Sequence, residues 1–432
     1  MKEDILTAVV AGENGEIFDL PGYGAAGMAG EEAYVLMKDE TLEMPHGSEL
    51  MMLPDRFPVV YNLESRSFET LTANPYDKNE PVFPVAVFNS PGYVNRYVCA
   101  HINENTAEPL PLFSYGAAGF DGNSFCSAAL MVDDEPRQDL REMPEAEIRA
   151  GISRMNEKYP SNRLIRHLEN CALTYGCPAG KNFFLKRYEA PLPTSRTCNA
   201  DCLGCISLQK DTSLTSPQNR IAFTPSAEEI AQTALEHIQT VKNAVVSFGQ
   251  GCEGDPLTAF HVIEPAIRMV RETTGEGTIN MNTNAGLPGK LERLFDAGLD
   301  SVRVSLNSTR KTPYNTYFRP GNYTFEDVIK SIQTAGEKGK FVSLNLLNCP
   351  GFTDSMLEFD SLKRFLSAYP VGMIQWRNMN FDPVLYMEIM FKAGKKSPSV
   401  GMANMIKDIQ KLFPRLMHGY FNPPKERYGT IN

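Results

Sequence analysis

Three cysteines of this chain are spaced closely enough to bind one metal centre. Cys198, Cys202 and Cys205 lie in the segment PTSRTCNADCLGCIS with the spacing CxxxCxxC. A short loop that contains Asn199 and Gly204 can curl so that all three thiolates face one point. A 4Fe-4S cluster prefers thiolate ligands. Because three thiolates leave one of its irons open to a ligand from outside the protein, this spacing indicates a cluster at which a reaction takes place.

Two other interpretations of these cysteines remain open. They can lie close together by chance in a chain with nine cysteines, or they can bind a structural zinc ion. Zinc sites normally use a fourth cysteine or histidine, often in a second CxxC pair. No such pair follows, and His237 lies within a predicted helix. The six histidines show no metal-binding pair on one helix turn, and we assign them no role.

The cysteine count also indicates a reducing compartment. Nine cysteines are an odd number at low density, unlike the dense, even pattern of secreted disulfide frameworks. The N-terminal sequence has no basic segment leading into an apolar stretch of signal length. No apolar run approaches the roughly 18 to 20 residues of a membrane helix. We therefore expect a cytoplasmic protein without a membrane partner.

Two patterns along the chain predict the elements that position the cysteines. Residues 1–142 contain short β-branched runs with hairpin signals at Asn14-Gly15 and Asp121-Gly122, which predict a β-rich N-terminal domain. Residues 143–181 are predicted to be a helical connector. Beyond it, strands alternate with helices. Strands are predicted at 182–189, 243–248, 277–283, 300–306, 341–347 and 372–377, and helices begin at Thr224-Pro225 and Thr324 or lie near 259–273, 288–297 and 355–367.

This alternation, with strands that we interpret as continuously apolar, predicts an α/β fold with a parallel sheet. We expect a partial (β/α)6 TIM-like barrel over residues 182–395, followed by a C-terminal extension, 396–432, to which no structure is assigned. Parallel barrels place active sites at the C-terminal ends of their strands. Amides and hydroxyls are concentrated at those ends here, in GQGCEGDPL (249–257), NMNTNAG (280–286) and VSLNS (304–308).

Together, these segments and CxxxCxxC resemble the radical S-adenosylmethionine (radical SAM) enzymes over about 182–385. The resemblance implies that Cys198, Cys202 and Cys205 hold a 4Fe-4S cluster and that the amino and carboxylate groups of S-adenosylmethionine chelate the fourth iron. It implies reductive cleavage of that cosubstrate to methionine and a 5′-deoxyadenosyl radical, which abstracts hydrogen from a substrate. An electron donor such as flavodoxin or ferredoxin is implied as a partner.

The resemblance also implies a set of cofactor contacts. EGDP matches the family's GGEP segment, so Glu253 or Asp255 is expected to receive the methionyl ammonium, and which of the two does so is left open. Gly204 occupies a position that is often aromatic in the family, and its backbone can reach the adenine edge. The predicted cofactor-binding residues are Gly204, Glu253, Gly254, Asp255, Asn284, Ser305, Asn307 and Asn345.

The remaining cysteines permit a second cluster. Radical SAM relatives often carry an auxiliary iron–sulfur cluster, and Cys171, Cys177 and Cys252 are candidates for its ligands. Alternatively, Cys252 or Cys349 supplies a thiol that quenches or captures a radical. Cys99 and Cys126 are interpreted as packing residues, because buried free thiols are common.

Composition restricts the substrate and partner classes. The chain has 432 residues, 42% hydrophobic and 22% charged, which is typical of folded globular proteins. Its 42 Lys and Arg against 52 Asp and Glu give a formal charge of −10, so no nucleic-acid partner is expected. Because a partial barrel is open on one side, we prefer a peptide or protein substrate. The alternative function is a non-catalytic iron–sulfur electron-transfer or zinc-binding protein.

Overall fold

The N-terminal part of the chain folds into antiparallel β-structure, as predicted. The computed structural model describes residues 4–210 and 214–429. Thirteen of the first fifteen strands form one sheet, and β10 and β15 form a two-stranded one. These strands are β1 Thr7–Ala11, β2 Ile17–Gly24, β3 Ala26–Ala29, β4 Glu32–Val35, β5 Leu42–Glu43, β6 Glu49–Met52, β7 Arg56–Asn62, β8 Ser67–Thr70, β9 Phe83–Phe88, β10 Tyr93–Asn95, β11 Val98–Cys99, β12 His101–Asn103, β13 Gly116–Phe120, β14 Phe125–Ser127 and β15 Ala129–Met131.

Both predicted hairpins form. Gly15 lies between the paired strands β1 and β2, and Gly122 lies between β13 and β14. Their φ values of 81° and 100° lie in the left-handed region that glycine adopts without strain. The turns are longer than two residues, and the side chain of Asn14 accepts a hydrogen bond from the Glu16 amide at 3.0 Å.

The C-terminal part contains a seven-stranded parallel sheet whose strands follow chain order. Its strands are β16 Glu189–Pro191, β17 Val245–Phe248, β18 Thr278–Thr283, β19 Ser301–Leu306, β20 Phe341–Asn348, β21 Met373–Asn378 and β22 Met417–Gly419. The helices are α1 Glu145–Lys158, α2 Arg163–Leu173, α3 Pro178–Phe184, α4 Ala227–Thr240, α5 Phe260–Thr273, α6 Pro288–Ala297, α7 Lys311–Phe318, α8 Phe325–Glu337, α9 Met356–Ala368, α10 Pro383–Ala393 and α11 Met402–Leu412. In the described residues, this sheet and its helices form a parallel half-barrel.

The predicted strand at 182–189 is wrong. Pro178 occupies the first helical turn of α3, and this helix continues to Phe184, so the first strand is reduced to Glu189–Pro191. The six-strand barrel is not what the structure has, because β22 adds a seventh strand that pairs with β21. This strand is three residues long, too short to show a periodic pattern.

Helix starts follow local capping. Thr324 caps α8 in a capping box with Asp327, as its sequence predicts. The helix predicted from Thr224-Pro225 begins two residues later, because Ser226 forms the capping box with Glu229. Among the described residues, no helix combines the length and apolar character needed to cross a membrane.

The strands of the half-barrel alternate in polarity, which corrects the interpretation that they are continuously apolar. In β19, Val302 and Val304 are buried at 0% exposure, whereas Arg303 and Ser305 line a cavity. In β21, Trp376 is likewise buried, while Arg377 lines the same cavity. Successive side chains of a strand point to opposite faces. The inner face of the sheet is therefore polar and the helix-covered face apolar.

The β-rich domain docks on the half-barrel through buried polar contacts. Arg56 forms an ion pair with Asp382 at 3.2 Å, and both side chains are 2% exposed. Asn378, at the end of β21, accepts from the Asn95 amide at 2.8 Å and donates to the Tyr93 carbonyl at 3.0 Å. These contacts hold the N-terminal domain over the carboxyl ends of β20 and β21.

Candidate active site

The cysteine motif lies in a loop anchored to helix α7. The amides of Asp201 and Leu203 each donate at 3.0 Å to the carbonyl oxygens of Phe318 and Tyr317. Burial raises the pKa of Cys198 to about 11. Burial, followed by the charges of Cys198 and Cys205, raises the pKa of Cys202 well above its usual value. Three mutually interacting, partly buried thiols fit a metal centre, because a bound cation favours their thiolate forms.

Gly204 is confined by its neighbours. A Cβ atom at this position would lie 2.7 Å from the Tyr317 hydroxyl and 2.8 Å from the Asn380 carbonyl oxygen. An aromatic side chain therefore has no room at position 204. The Tyr317 ring, from α7, lines the cavity beside Gly204 instead.

Arg220 is a cation beside the motif that the sequence analysis missed. Its Nε atom donates to the Ser207 hydroxyl at 3.2 Å, and a terminal guanidinium nitrogen lies 3.6 Å from the Cys205 sulfur. Fifteen residues separate Arg220 from Cys205, and no spacing rule pairs a loop arginine with a thiol at that distance. The positive charge lies where a bound anionic cluster would be stabilised.

Glu253 is fully occupied by backbone donors. One carboxylate oxygen accepts from the amides of Thr194 and Ser195, both at 2.8 Å. The other oxygen accepts from the amides of Gly249 and Gln250 at 2.7 and 2.8 Å. Burial raises the pKa of Glu253 to about 7 despite these bonds. The side chain ties the segment before the cysteine loop to the 249–254 loop.

Asp255 and Asn284 also bind protein groups. The Asp255 carboxylate accepts from the Leu257 amide, the Thr283 hydroxyl and the Asn284 amide at distances from 2.8 to 3.0 Å. The Asn284 side chain donates at 2.7 Å to Asn199 in the cysteine loop. Asp255 therefore orients Asn284, and Asn284 holds the cysteine loop through Asn199.

A cavity of about 460 Å³ adjoins the cysteine loop and lies between the two domains. Four of the predicted cofactor contacts line it: Gly204, Glu253, Ser305 and Asn345. The other four, Gly254, Asp255, Asn284 and Asn307, are not among the described residues that line the cavity. Gly254 packs under Thr197, whose carbonyl oxygen would lie 1.9 Å from an added Cβ. Asn307 is 1% exposed and donates to the Tyr386 hydroxyl at 3.1 Å.

The two domains and the C-terminal extension share this cavity. Phe88, Asn89 and Ser114 of the β-rich domain form part of its wall. Asn422, from the extension, accepts from Gln375 at 2.9 Å and donates to Glu189 at 2.7 Å, so it bridges strands β21 and β16. These contributions come from segments that carry no recognisable motif, which is why the sequence did not reveal them.

Two arginines, Arg303 and Arg377, line the cavity and form no ion pair with another described residue. Arg303 donates to the Gln375 amide oxygen at 3.0 Å, and Arg377 lies over the Tyr420 ring at 3.5 Å. Glu189 lines the same cavity and its charge acts on Arg303, but its carboxylate forms its ion pair with Arg137 at 3.2 Å. The Nε atoms of Arg303 and Arg377 lack a hydrogen-bond partner. Burial, and then the Arg377 cation, lower the pKa of Arg303. This part of the cavity is suited to an anionic group.

Of the six cysteines outside the motif, three lie close together near α2 and three are buried elsewhere. Cys171 and Cys252 lie together with His167 on the side of the 249–254 loop where α2 packs, and Cys177 lies beside them. A hydrogen bond from Cys252 lowers the pKa of Cys171 to about 5, and the same bond raises the pKa of Cys252. Cys99, Cys126 and Cys349 are buried elsewhere, and burial raises the pKa of each. All nine cysteines are free thiols.

Residues 192–361 match the family model of the Radical SAM superfamily. The chain is 27% identical over 188 residues to GTP 3′,8-cyclase of Lactiplantibacillus plantarum, over 40% of this chain and 52% of that protein. It is 27% identical over 214 residues to the mitochondrial GTP 3′,8-cyclase of Arabidopsis thaliana, over 47% of this chain and 51% of that one. The chain spans about half the length of these curated relatives.

Two solved structures are similar at low identity. A radical SAM methyltransferase from Sphaerobacter thermophilus has 16% identity and a TM-score of 0.37, over 52% of this chain and 63% of that one. Methylornithine synthase has 14% identity and a TM-score of 0.34, over 63% of this chain and 74% of that one.

The sheet and loop define a parallel half-barrel with a three-thiol site at its carboxyl edge. Residues 192–361, which carry this loop and strands β17 to β20, are similar to the Radical SAM superfamily. Enzymes of this superfamily use a 4Fe-4S cluster and S-adenosylmethionine. The three thiols fit the cluster, and the adjoining polar cavity fits the cosubstrate.

Proposed function

We propose that this protein is a radical SAM enzyme that cleaves S-adenosylmethionine reductively and uses the product radical to abstract hydrogen from a small anionic substrate. The observation that carries the proposal is one cavity whose wall includes Cys202 and Cys205 together with the strand-end groups Ser305 and Asn345. Cys198, Cys202 and Cys205 would hold a 4Fe-4S cluster, which when reduced would supply the electron for cleavage of S-adenosylmethionine to methionine and a 5′-deoxyadenosyl radical.

We assign Glu253 and Asp255 roles other than those that the GGEP resemblance implies. Glu253 has four backbone donors on its carboxylate, and Asp255 has backbone and hydroxyl donors on both oxygens. We assign both to positioning the 249–254 loop. The methionyl ammonium would then donate to the backbone carbonyl oxygens of Gln250 and Gly251, two residues that line the cavity.

Ser305 and Asn345 are assigned to the ribose and carboxylate groups of the cosubstrate. They face each other across the register of β19 and β20, so their polar groups lie at one height on the inner face. Tyr317 supplies the aromatic surface for adenine that Gly204 lacks, because it lines the cavity next to that glycine. Asn284 and Asn307 are assigned to supporting roles.

The substrate class follows from the charge in the cavity. Arg303 and Arg377 present two cations to the cavity, whereas the nearby Glu189 carboxylate is paired with Arg137, and burying incompletely paired charge is costly. An anionic substrate group removes that cost. The relatives are named GTP 3′,8-cyclases, and a nucleoside triphosphate carries such a group. We therefore propose a phosphate-bearing small molecule in place of the peptide or protein expected from the open barrel.

The electron requirement indicates the partner, and the free thiols indicate the location. Reductive cleavage consumes one electron, so we propose a low-potential donor such as flavodoxin or ferredoxin. Nine free thiols are consistent with the reducing cytoplasm, where we place the protein. The formal charge of −10 supports the absence of a nucleic-acid partner.

The cleavage proposal is tested by anaerobic reconstitution, reduction with dithionite and measurement of 5′-deoxyadenosine. Wild type is expected to form it, and Cys202→Ala is expected to form none. Cys126→Ala, which removes a thiol from β14, is the control and should match wild type. Wild type with an intact, reducible cluster that forms no 5′-deoxyadenosine would instead support the alternative class, a non-catalytic iron–sulfur protein.

The substrate class is tested separately by binding. Titration of the reconstituted protein with GTP, and with guanosine as the uncharged comparison, is monitored calorimetrically. GTP should bind at least tenfold more tightly than guanosine, and Arg303→Gln and Arg377→Gln should each reduce that difference. Equal affinity for the two compounds would contradict the anionic substrate site while leaving the cleavage proposal intact.

A further inference from the structure

Three side chains outside the three-cysteine site converge on one point. His167 and Cys171 are four residues apart in α2, so they lie on one face of that helix. The His167 Nε2 atom is 3.5 Å from the Cys171 sulfur. Cys252 approaches from the 249–254 loop, and the three ligand atoms all lie within 4.8 Å of one another.

We propose that His167, Cys171 and Cys252 form a second metal centre that binds a single divalent ion of the zinc type. Imidazole nitrogen and thiolate sulfur are the ligands that zinc prefers, and a set of two cysteines and one histidine leaves the fourth position of the ion to water. Tetrahedral zinc with Zn–S distances near 2.3 Å and Zn–N distances of about 2.0 to 2.1 Å places its ligand atoms roughly 3.5 to 3.8 Å apart. The 3.5 Å separation of His167 and Cys171 matches that geometry.

The spacing favours a single ion over an iron–sulfur cluster. In a 4Fe-4S cluster each cysteine binds a different iron, so the thiols stand further apart than on one ion. Among the described residues, His167, Cys171 and Cys252 are the one group of His, Cys or carboxylate side chains placed so that three ligand atoms could share a single ion, and the three motif cysteines do not form such a group.

Cys177 is the neighbouring thiol that this ligand set omits. Its amide donates to the Cys171 carbonyl at 2.9 Å, but its sulfur lies outside the group of three. The auxiliary set expected from the sequence, Cys171, Cys177 and Cys252, is thus changed by one member, with His167 in place of Cys177.

The ion would connect helix α2 to the loop that forms one wall of the cavity. Cys252 lies between Gly251 and Glu253, both of which line the cavity. Its carbonyl oxygen accepts from the Ile221 amide at 2.8 Å, so a hydrogen bond already restrains this loop. A metal bond to the Cys252 sulfur would restrain the loop further.

The test uses the full chain with Cys198, Cys202 and Cys205 all replaced by alanine, so that any ion bound belongs to the second centre. The reduced, metal-free protein is titrated with Co²⁺, and absorption is recorded. We expect one Co²⁺ per chain with a sulfur-to-cobalt charge-transfer band, displaced by one equivalent of Zn²⁺. A protein that takes up no Co²⁺, or that instead assembles about four irons with sulfide, would overturn the proposal.

Matched variants in that background identify the ligands. Cys171→Ala and Cys252→Ala should lose the charge-transfer band, and His167→Ala should weaken Co²⁺ binding at least tenfold. Cys177→Ala and Cys349→Ala should keep one ion per chain. Far-ultraviolet circular dichroism of the metal-free proteins checks that each variant is folded. Retention of the ion in folded Cys252→Ala, or its loss in Cys177→Ala, would contradict the ligand set.

Discussion

A terminal guanidinium nitrogen of Arg220 lies 3.6 Å from the sulfur atom of Cys205. The same side chain donates through Nε to the Ser207 hydroxyl at 3.2 Å, which fixes its direction. Reduction adds negative charge to a cluster held by three thiolates, and a cation at this distance stabilises that added charge.

Replacing Arg220 is therefore expected to make cluster reduction harder. Arg220→Gln should shift the reduction midpoint to a more negative potential, and Arg220→Lys, which keeps the charge, should shift it less. A redox titration followed by electron paramagnetic resonance measures both. Arg268→Gln removes an exposed cation that pairs with Glu264 on α5 and should leave the midpoint unchanged. An unchanged midpoint in Arg220→Gln would show that this cation does not act on the cluster.

Gly204→Ala is expected to disturb the cysteine loop. The added methyl group would lie 2.7 Å from the Tyr317 hydroxyl and 2.8 Å from the Asn380 carbonyl, closer than van der Waals contact. Since the carbonyl belongs to the backbone, the loop itself must shift. Iron per chain after reconstitution should fall, and Gly204→Ala/Tyr317→Phe should recover only part of it.

The control for this substitution is Gly275→Ala, because an added Cβ there has no atom within 4 Å. Its iron content should equal that of wild type. Full iron content and cosubstrate cleavage in Gly204→Ala would show that the loop tolerates the side chain.

The Arg56–Asp382 ion pair is expected to contribute strongly to domain docking. Both side chains are 2% exposed, and Asp382 also accepts from the Leu110 amide at 3.1 Å. Arg56→Met should lower the free energy of unfolding by about 3 to 5 kcal/mol, because it leaves a buried charge without its partner. Denaturant unfolding measures the loss.

Two comparisons separate pairing from packing. Arg56→Met/Asp382→Asn should be less destabilised than the sum of the single variants, which defines a coupling energy. Lys311→Met breaks the exposed pair with Glu326, whose side chains are 56% and 63% exposed, and should cost no more than about 1 kcal/mol. Equal losses in Arg56→Met and Lys311→Met would contradict the role of burial.

The buried His237 predicts a loss of stability in mild acid. Burial lowers the pKa of His237 to about 4, below the value of about 6.5 for an unfolded histidine. As pH falls from 6.5 to 4, the unfolded state binds a proton that the folded state does not, so the free energy of unfolding decreases by up to about 3 kcal/mol. Above pH 6.5 this contribution is fully present.

Thermal unfolding between pH 4 and 7 tests whether stability decreases as the pH falls. His418, whose pKa burial also lowers to about 4, adds a parallel loss. His237→Gln keeps a donor for the Tyr188 carbonyl, which the imidazole Nε2 atom approaches at 3.2 Å, but it cannot titrate. Its stability should depend less steeply on pH than that of wild type. Identical pH dependence in both proteins would remove His237 as a cause.

Several elements were predictable because their signals are local. The capping residue of α8, the hairpins at Gly15 and Gly122 and the spacing of the three motif cysteines all depend on residues within one turn or loop. Strand β16 and strand β22 were not, since three residues are too few to show a period. The cation at Arg220 and the His167–Cys171 pair were missed; the spacing of four residues in α2 is a signal that could have identified the second.

The sequence by itself determined the cysteine loop, the alternation of strands and helices and the resemblance to radical SAM enzymes, because these depend on short-range spacing and periodicity. Only the tertiary structure decided which polar groups face the cavity. It turned the carboxylates of Glu253 and Asp255 toward backbone donors, brought Cys252 to a helix some eighty residues earlier in the chain, and placed the β-rich domain over the site. These outcomes depend on packing between distant segments, where each buried polar group must find a partner, and no local pattern records which partner that is.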